Sequence, residues 1–228
     1  NYGGWGNVLE NDQVIIAYYG ITKKDARPND IGLPPPAVKP ITLQPHERYL
    51  IETCKTRDYL FSFQGQRGQG RDAFRRGMLA KLDNGKDVYV RINRLAGGDP
   101  ESTHRYEEVM RNSIFAGAPR GDCLFSYRFA EIMSAGAIPV VYANDWLPPF
   151  SSSADPDRVI DWTKCALFIR EGKFAETTVD VLRAIPDDVR CEMQKCSLAF
   201  WEEFASSREA WLKGILSWVL LGGVEHET

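Results

Sequence analysis

The stretch PRGDCLFSYRFAEIMSAGAIPVVYANDWLPPF, residues 119–150, holds a loop, a helix and a strand in immediate succession. Within the predicted helix, at about 126–135, Phe129 and Met133 are four residues apart, which is the spacing of one helix face. The run AIPVVYA at 137–143 is apolar and rich in β-branched residues, as in strands buried on both faces. A helix that leads directly into such a strand predicts an α/β fold.

The same alternation of strand and helix continues on both sides of that stretch. Further strands are predicted at 12–19, 58–63, 87–92, 114–118 and 165–169. Further helices are predicted at 71–82, around Tyr106, and at three places near the C terminus, where 211–221 is interpreted as a buried terminal helix. Strands that alternate with helices predict the fold class α/β, a Rossmann-like parallel sheet flanked by helices.

A proline-rich segment divides the predicted chain into two parts. Six prolines lie between Arg27 and Pro45, a density that excludes a helix or a central strand. The segment is predicted to be a stiff connector between two bodies. Residues 1–45 are then a truncated N-terminal lobe with its connector, and residues 46–228 form the C-terminal lobe.

Composition narrows the classes of ligand and partner. The 228 residues carry a net charge of −3, which gives no general attraction for nucleic acid or an anionic membrane. Five cysteines without a C-x-x-C pair and three scattered histidines offer no zinc-ligand spacing, so no metal site is predicted. The odd cysteine count allows one or two disulfides with a thiol left over, or none.

Polar residues gather in three loops that each follow a predicted strand. Ligands of open parallel sheets bind beyond the carboxyl ends of the strands, so these loops share one crevice if their strands are adjacent. The candidate ligand residues are Arg67 and Arg71 in a glycine-rich turn, then Arg120 and Gly121, then Asn144 and Asp145. On its own, the glycine-rich turn is more typical of a flexible surface loop with solvated arginines.

Arg128 stands in the first turn of the predicted helix, where the helix dipole disfavours a cation and favours an anion. Ser126 can cap this helix, and Glu131 follows Arg128 by three residues on the same face. A diphosphate here would offset the charge of Arg128, and the Glu131 carboxylate can accept hydrogen bonds from two vicinal ribose hydroxyls. The pattern therefore predicts a nucleotide. The alternative is a surface ion pair between the two side chains, which contributes little to stability.

Several motifs occur together in a fixed order. The quoted stretch contains P-x-G, S-x-R-x-x-E, a P-V-V strand and P-P-F, and a D-W pair follows at 161–162. Three more segments add matches: LFSFQGQRGQGRDAFR at 60–75, RYEEVMRNSIFAGAPRG at 105–121 and ARPNDIGLPP at 26–35. With these motifs, the chain from about residue 12 to residue 206 resembles the exostosin family of glycosyltransferases, family 47.

That resemblance implies a GT-B glycosyltransferase with two Rossmann-like lobes, of which this chain is mainly the C-terminal, donor-binding one. The implied donor is a UDP-sugar, the acceptor is a polysaccharide or glycan, and the reaction inverts the anomeric carbon. No obligatory cofactor or metal is implied, because enzymes of this architecture stabilise the leaving diphosphate with arginines and dipoles. The general base is expected in the N-terminal lobe, so no catalytic residue is assigned in this chain.

The resemblance also implies roles for single residues and a location. Arg71 and Arg128 hold the donor diphosphate, with Arg67 and Arg120 as further candidates; Gly121 and Ser126 shape the phosphate loop; Glu131 binds the ribose, and Asn144 or Asp145 contacts the donor sugar. The expected location is the Golgi lumen, behind an N-terminal membrane anchor that is not in this chain. Homo- or hetero-oligomers with related transferases are also expected. The alternative function is a non-catalytic exostosin-like partner or a glycan-binding module.

Overall fold

The computed structural model describes residues 17–66, 79–93, 100–121, 123–171 and 177–221. Its strands are β1 (Ala17–Tyr18), β2 (Ile31–Gly32), β3 (Tyr59–Gln66), β4 (Val88–Asn93), β5 (Ser113–Pro119), β6 (Ile138–Tyr142) and β7 (Leu167–Phe168). Strands β1 and β2 form a small parallel pair. The other strands form one five-stranded sheet in the order β4-β3-β5-β6-β7, and all of its pairs are parallel. The predicted parallel α/β sheet is therefore confirmed.

Helices cover both faces of this sheet. They are α1 (Pro45–Glu52), α2 (Pro100–Arg111), α3 (Arg128–Ser134), α4 (Thr178–Ala184), α5 (Asp187–Phe200) and α6 (Arg208–Leu221). Short 3₁₀ turns lie at Leu79–Leu82 and Trp162–Lys164, and a π-helical turn at Trp201–Ala205 follows α5. Alternate residues of β6 belong to different apolar clusters: Val141 packs with Phe129 and Met133 of α3, whereas Val140 packs with Phe115. The sheet is thus buried on both faces, as parallel sheets require.

The proline-rich segment lies against the same body along much of its length. In β2, Gly32 N donates to Ser151 O (3.0 Å) and Gly32 O accepts from Phe150 N (2.8 Å). A Cβ atom at Gly32 would overlap the carbonyl oxygen of Pro148, so only glycine allows this approach. Ile41, further along the segment, is buried in the same cluster as α3. The division of the chain at residue 45 stays a prediction.

Element boundaries differ from the predictions in several places. Helix α3 begins at Arg128 instead of Ser126, and the predicted strand 165–169 shrinks to two residues at the sheet edge. Residues 12–16 of the first predicted strand and residues 71–78 of the predicted helix 71–82 lie outside the described part. The end of that predicted helix, Leu79–Leu82, is a 3₁₀ turn.

The prediction of a buried terminal helix at 211–221 is wrong. Helix α6 buries only a narrow stripe, with Ala210, Gly214 and Trp218 four residues apart. Its other side exposes several large apolar side chains, namely Leu212, Leu216, Val219, Leu220 and Leu221. The mainly apolar composition of this helix suggested burial, but within the described residues only one side of α6 is buried.

Two disulfides are present, which selects one of the options left open by the cysteine count. Cys54 pairs with Cys191 and Cys165 pairs with Cys196, with Cα–Cα distances of 5.2 and 5.0 Å. Cys123 is free and exposed. Among the described helices, none is both long enough and apolar enough to span a membrane.

Candidate functional site

The loops predicted to share a crevice do start from neighbouring strands. Strand β3 pairs with β5, and β5 pairs with β6. Because all three are parallel, their carboxyl ends lie at one edge of the sheet. The glycine-rich turn after β3, with Arg67 and Arg71, lies outside the described residues, so the roles of these two arginines stay predictions.

Arg128 reaches this edge from the first position of α3. Its guanidinium carbon lies 4.8 Å from the centre of the Phe63 ring, and its Nη2 donates to the carbonyl oxygen of Gln64 (2.8 Å). An added Cβ at Gly65 would lie 2.6 Å from the Phe63 ring and 3.3 Å from that nitrogen, so the glycine leaves room for the ring and the guanidinium together. The buried Nε has no hydrogen-bond acceptor among the described residues. Aromatic faces and one carbonyl therefore hold the cation, with no carboxylate of the described part in ion-pair contact.

Glu131 lies one turn after Arg128, and its side chain is in a polar niche. The residue is only 8% exposed. Its Oε1 accepts from the backbone N–H of Lys39 (3.1 Å), and its Oε2 accepts from the Tyr106 hydroxyl (2.6 Å). A carboxylate has about four acceptor positions, so two remain for a ligand.

The predicted alternative, an ion pair between Arg128 and Glu131, is not formed between these two described side chains. Tyr106 contacts both of them, since the guanidinium carbon of Arg128 lies 5.8 Å from the centre of its ring. Cation and carboxylate therefore stay separate within one site. The charges of both remain available to a ligand.

Sequence reasoning missed Tyr106 as a site residue. Tyr106 lies in α2, and the sequence pattern predicts only a helix around this residue, with no role in a site. Burial raises the pKa of the Tyr106 phenol above its ordinary value of 10.0; the nearby Arg128 opposes this shift and Glu131 adds to it. The hydroxyl therefore stays protonated at neutral pH and acts as a donor. Only a pattern linking residues 25 positions apart could have revealed the contact.

Arg120 follows β5 at the same edge, and its backbone N–H donates to Tyr142 O at the end of β6 (3.0 Å). Its guanidinium pairs with the Glu171 carboxylate, with Nε and Oε1 2.7 Å apart. This carboxylate offsets the charge of Arg120, whose role as a further diphosphate ligand stays a prediction.

The predicted phosphate loop between β5 and α3 makes mainly local contacts. Gly121 N donates to Phe125 O (3.2 Å), which closes the loop. Ser126 O accepts from Phe129 N (3.0 Å), while Ser126 Oγ accepts a long hydrogen bond from Arg128 N (3.4 Å). Ser126 therefore stands at the entrance of α3, although the helix itself begins two residues later.

A cavity of about 140 Å³ opens where β6 and β7 end. Asn144 and Asp145 are exposed at its rim, and Asn144 Oδ1 accepts from Glu171 N (3.1 Å). Asp145 has a positive φ of 58°, and its carbonyl accepts from Lys23 N (2.8 Å). Lys23 and Arg170 also line the cavity, and neither had been predicted as a site residue. Both residues that were predicted to contact the donor sugar thus lie at one cavity, near the carboxyl ends of β6 and β7.

These features define an α/β protein whose candidate ligand site lies at the carboxyl edge of a five-stranded parallel sheet. The model of the Exostosin GT47 domain matches residues 9–185 of the chain. The chain therefore belongs to the exostosin family.

Curated relatives agree with that family. Exostosin-1 of Drosophila melanogaster is 31% identical over 66% of this chain and 21% of its own length. Exostosin-1b of Danio rerio is 28% identical over 91% of this chain and 30% of its own length. The chain thus spans less than a third of these relatives. Among solved structures it is similar to WaaG, a glycosyltransferase involved in lipopolysaccharide biosynthesis, with a TM-score of 0.45 and 12% identity over 92% of this chain and 62% of that one.

Proposed function

We propose that this chain is the donor-binding lobe of an inverting GT-B glycosyltransferase. It binds a UDP-sugar, whose sugar is transferred to a growing polysaccharide or glycan. The observation that carries this proposal is the setting of Arg128 near the carboxyl ends of the strands. There the guanidinium has no carboxylate partner among the described residues, and Glu131 lies one helical turn away. Membership of the exostosin family supports the same chemistry.

Each part of a nucleoside diphosphate sugar has a matching group in this proposal. Arg128 binds the diphosphate by charge-assisted hydrogen bonds, aided by Arg71, Arg67 and Arg120 and by a loop shaped by Gly121 and Ser126. The remaining acceptor positions of Glu131 take the ribose hydroxyls. Asn144 and Asp145 contact the donor sugar from the rim of the cavity.

The transfer step follows from this arrangement. The acceptor hydroxyl oxygen attacks the anomeric carbon from the side opposite the diphosphate, and the bond from that carbon to the phosphate oxygen breaks. The bonding electrons leave with UDP, and the hydroxyl proton passes to a general base that this chain does not identify. Arg128 stabilises the negative charge that develops on the leaving diphosphate.

Calorimetry with UDP tests the proposal. Wild type should bind UDP, and Arg128→Ala should bind it about 10- to 100-fold more weakly, because hydrogen bonds to charged groups contribute about 1.5–3 kcal/mol. The matched control is Arg183→Ala, which removes an arginine paired with Asp87, next to the opposite, amino end of β4. It should bind UDP as wild type does. Wild type without measurable UDP affinity would instead favour the non-catalytic partner or glycan-binding module.

No obligatory metal is part of this proposal, because arginines supply the positive charge. Treatment with EDTA should leave the UDP affinity and any donor turnover unchanged. Loss of turnover that is restored by a divalent cation would contradict this expectation.

We also place the protein in the Golgi lumen, behind a membrane anchor outside this chain, and in homo- or hetero-oligomers with related transferases. The two disulfides support an oxidising compartment of the secretory route. Protein recovered from that route should show a single reactive thiol after denaturation without reductant, that of Cys123.

A further inference from the structure

Tyr106 contacts two chemically different groups of the candidate site. Its hydroxyl donates to Glu131 Oε2 at 2.6 Å, and its ring lies beside the Arg128 guanidinium. The other carboxylate oxygen of Glu131 is held by the backbone N–H of Lys39 in the proline-rich segment. The carboxylate is therefore fixed from two sides by donors that come from distant parts of the chain.

The two groups that donate to Glu131 respond differently to mutation. The Lys39 donor is a backbone group that every residue except proline supplies. The Tyr106 donor is a side-chain hydroxyl that phenylalanine lacks, although phenylalanine keeps the ring. Since a carboxylate at the start of a helix can turn about its side-chain bonds, loss of one donor frees its orientation without emptying the niche.

We propose that Tyr106 is a positioning residue that aims the Glu131 carboxylate at the vicinal hydroxyls of the donor ribose. This inference rests on the proposed function. In this proposal Tyr106 does not contact the donor itself. By holding Oε2, it leaves the unused acceptor positions of the Glu131 carboxylate for the ribose hydroxyls. The Tyr106 hydroxyl thereby sets how well the site distinguishes a ribonucleotide from a nucleotide without these hydroxyls.

The test compares UDP with 2′,3′-dideoxy-UDP by calorimetry on wild type and Tyr106→Phe. Wild type should prefer UDP. In Tyr106→Phe the UDP affinity should fall about tenfold, because the misaimed Glu131 carboxylate loses a charge-assisted hydrogen bond to a ribose hydroxyl, while the affinity for the dideoxy analogue stays within about twofold. The matched control is Tyr142→Phe, which removes another buried tyrosine hydroxyl, one that contacts Thr178. It should change neither affinity.

A double-mutant comparison separates positioning from general support of the fold. In a Glu131→Ala background, Tyr106→Phe should cause no further loss of the preference for UDP, because the hydroxyl acts through that carboxylate. An equal loss of both ligands in Tyr106→Phe, or an unchanged UDP affinity, would overturn the inference. Equal wild-type affinities for the two ligands would also overturn it but leave the diphosphate role of Arg128 standing. A wild type that binds neither ligand would refute the proposed function itself.

Discussion

Arg57 is a buried cation that ties the start of β5 to the end of α3. Its Nη1 donates to Ser113 O (2.8 Å) and Ala135 O (3.1 Å). Burial lowers the pKa of its guanidinium to about 10, so the side chain stays charged at neutral pH. One side chain thus satisfies two carbonyls that water cannot reach.

Replacing Arg57 with methionine should lower the free energy of unfolding by about 3 kcal/mol, since it leaves buried carbonyl oxygens without donors at about 1–3 kcal/mol each. Urea denaturation at pH 7 measures the change. The control is Arg48→Met, which removes an arginine from an exposed pair with Glu202 and should cost less than about 1 kcal/mol. Equal losses in both variants would contradict the role given to Arg57.

Tyr142 makes the stability depend on pH in the alkaline range. Burial raises the pKa of its phenol above the ordinary value of 10.0. The folded state therefore keeps a proton that the unfolded state releases, and this contribution is complete below pH 10 and is lost as the pH rises through the folded pKa. At pH 11 the contribution should already be smaller by about 1 kcal/mol.

The variant Tyr142→Phe isolates this effect. Between pH 9 and pH 11 its urea midpoint should fall less than that of wild type. Both proteins should carry Cys123→Ser, so that the free thiol cannot exchange with the disulfides at high pH. Parallel midpoint curves for the two proteins would show that Tyr142 does not titrate differently in the two states.

Helix α6 approaches the core through a glycine. A Cβ at Gly214 would overlap the ring of Phe150, which is fully buried. Alanine normally stabilises a helix by about 1 kcal/mol relative to glycine, whereas overpacking a core costs about 1–3 kcal/mol. Because the ring cannot move into open space, overpacking should outweigh helix propensity.

We therefore expect Gly214→Ala to lower the thermal midpoint of unfolding. Ser217→Ala, in the same helix, is the matched control and should leave the midpoint unchanged or raise it slightly. If Gly214→Ala were as stable as the control, α6 would not sit as closely on Phe150 as the structure shows.

Strand predictions succeeded where both faces are buried, and the prediction for β7, one of the two edge strands, was too long. Strands β5 and β6 are buried at every position, so their apolar runs identified them directly. Strand β7 is half-exposed and, among the described strands, pairs only with β6 over a two-residue ladder. Composition alone does not show where an edge strand stops pairing.

At the scale of the whole molecule, the two disulfides close loops of very different length. Cys54–Cys191 spans 137 residues and Cys165–Cys196 spans 31. Chain entropy predicts stabilisation of about 5 kcal/mol for the first and about 4 kcal/mol for the second, since a longer loop restricts the unfolded chain more.

Paired serine variants test this order. Replacing Cys54 and Cys191 should reduce the free energy of unfolding more than replacing Cys165 and Cys196. Replacing the free Cys123 should have little effect, since this residue is exposed. A larger loss from the shorter loop would show that native contacts, and not loop length, decide the contribution of each disulfide.

By itself, the amino-acid sequence determined the parallel α/β sheet, the order of its strands along the chain, the loops that carry Arg120 and Asn144, and the helix whose first turn holds Arg128, because hydrophobic periodicity and loop position are local properties. Only the tertiary structure decided which side of α6 is buried, which cysteines pair, and that Tyr106 and the Lys39 backbone hold Glu131. These outcomes depend on contacts between segments 25 to 137 positions apart, and side-chain types alone do not specify such contacts.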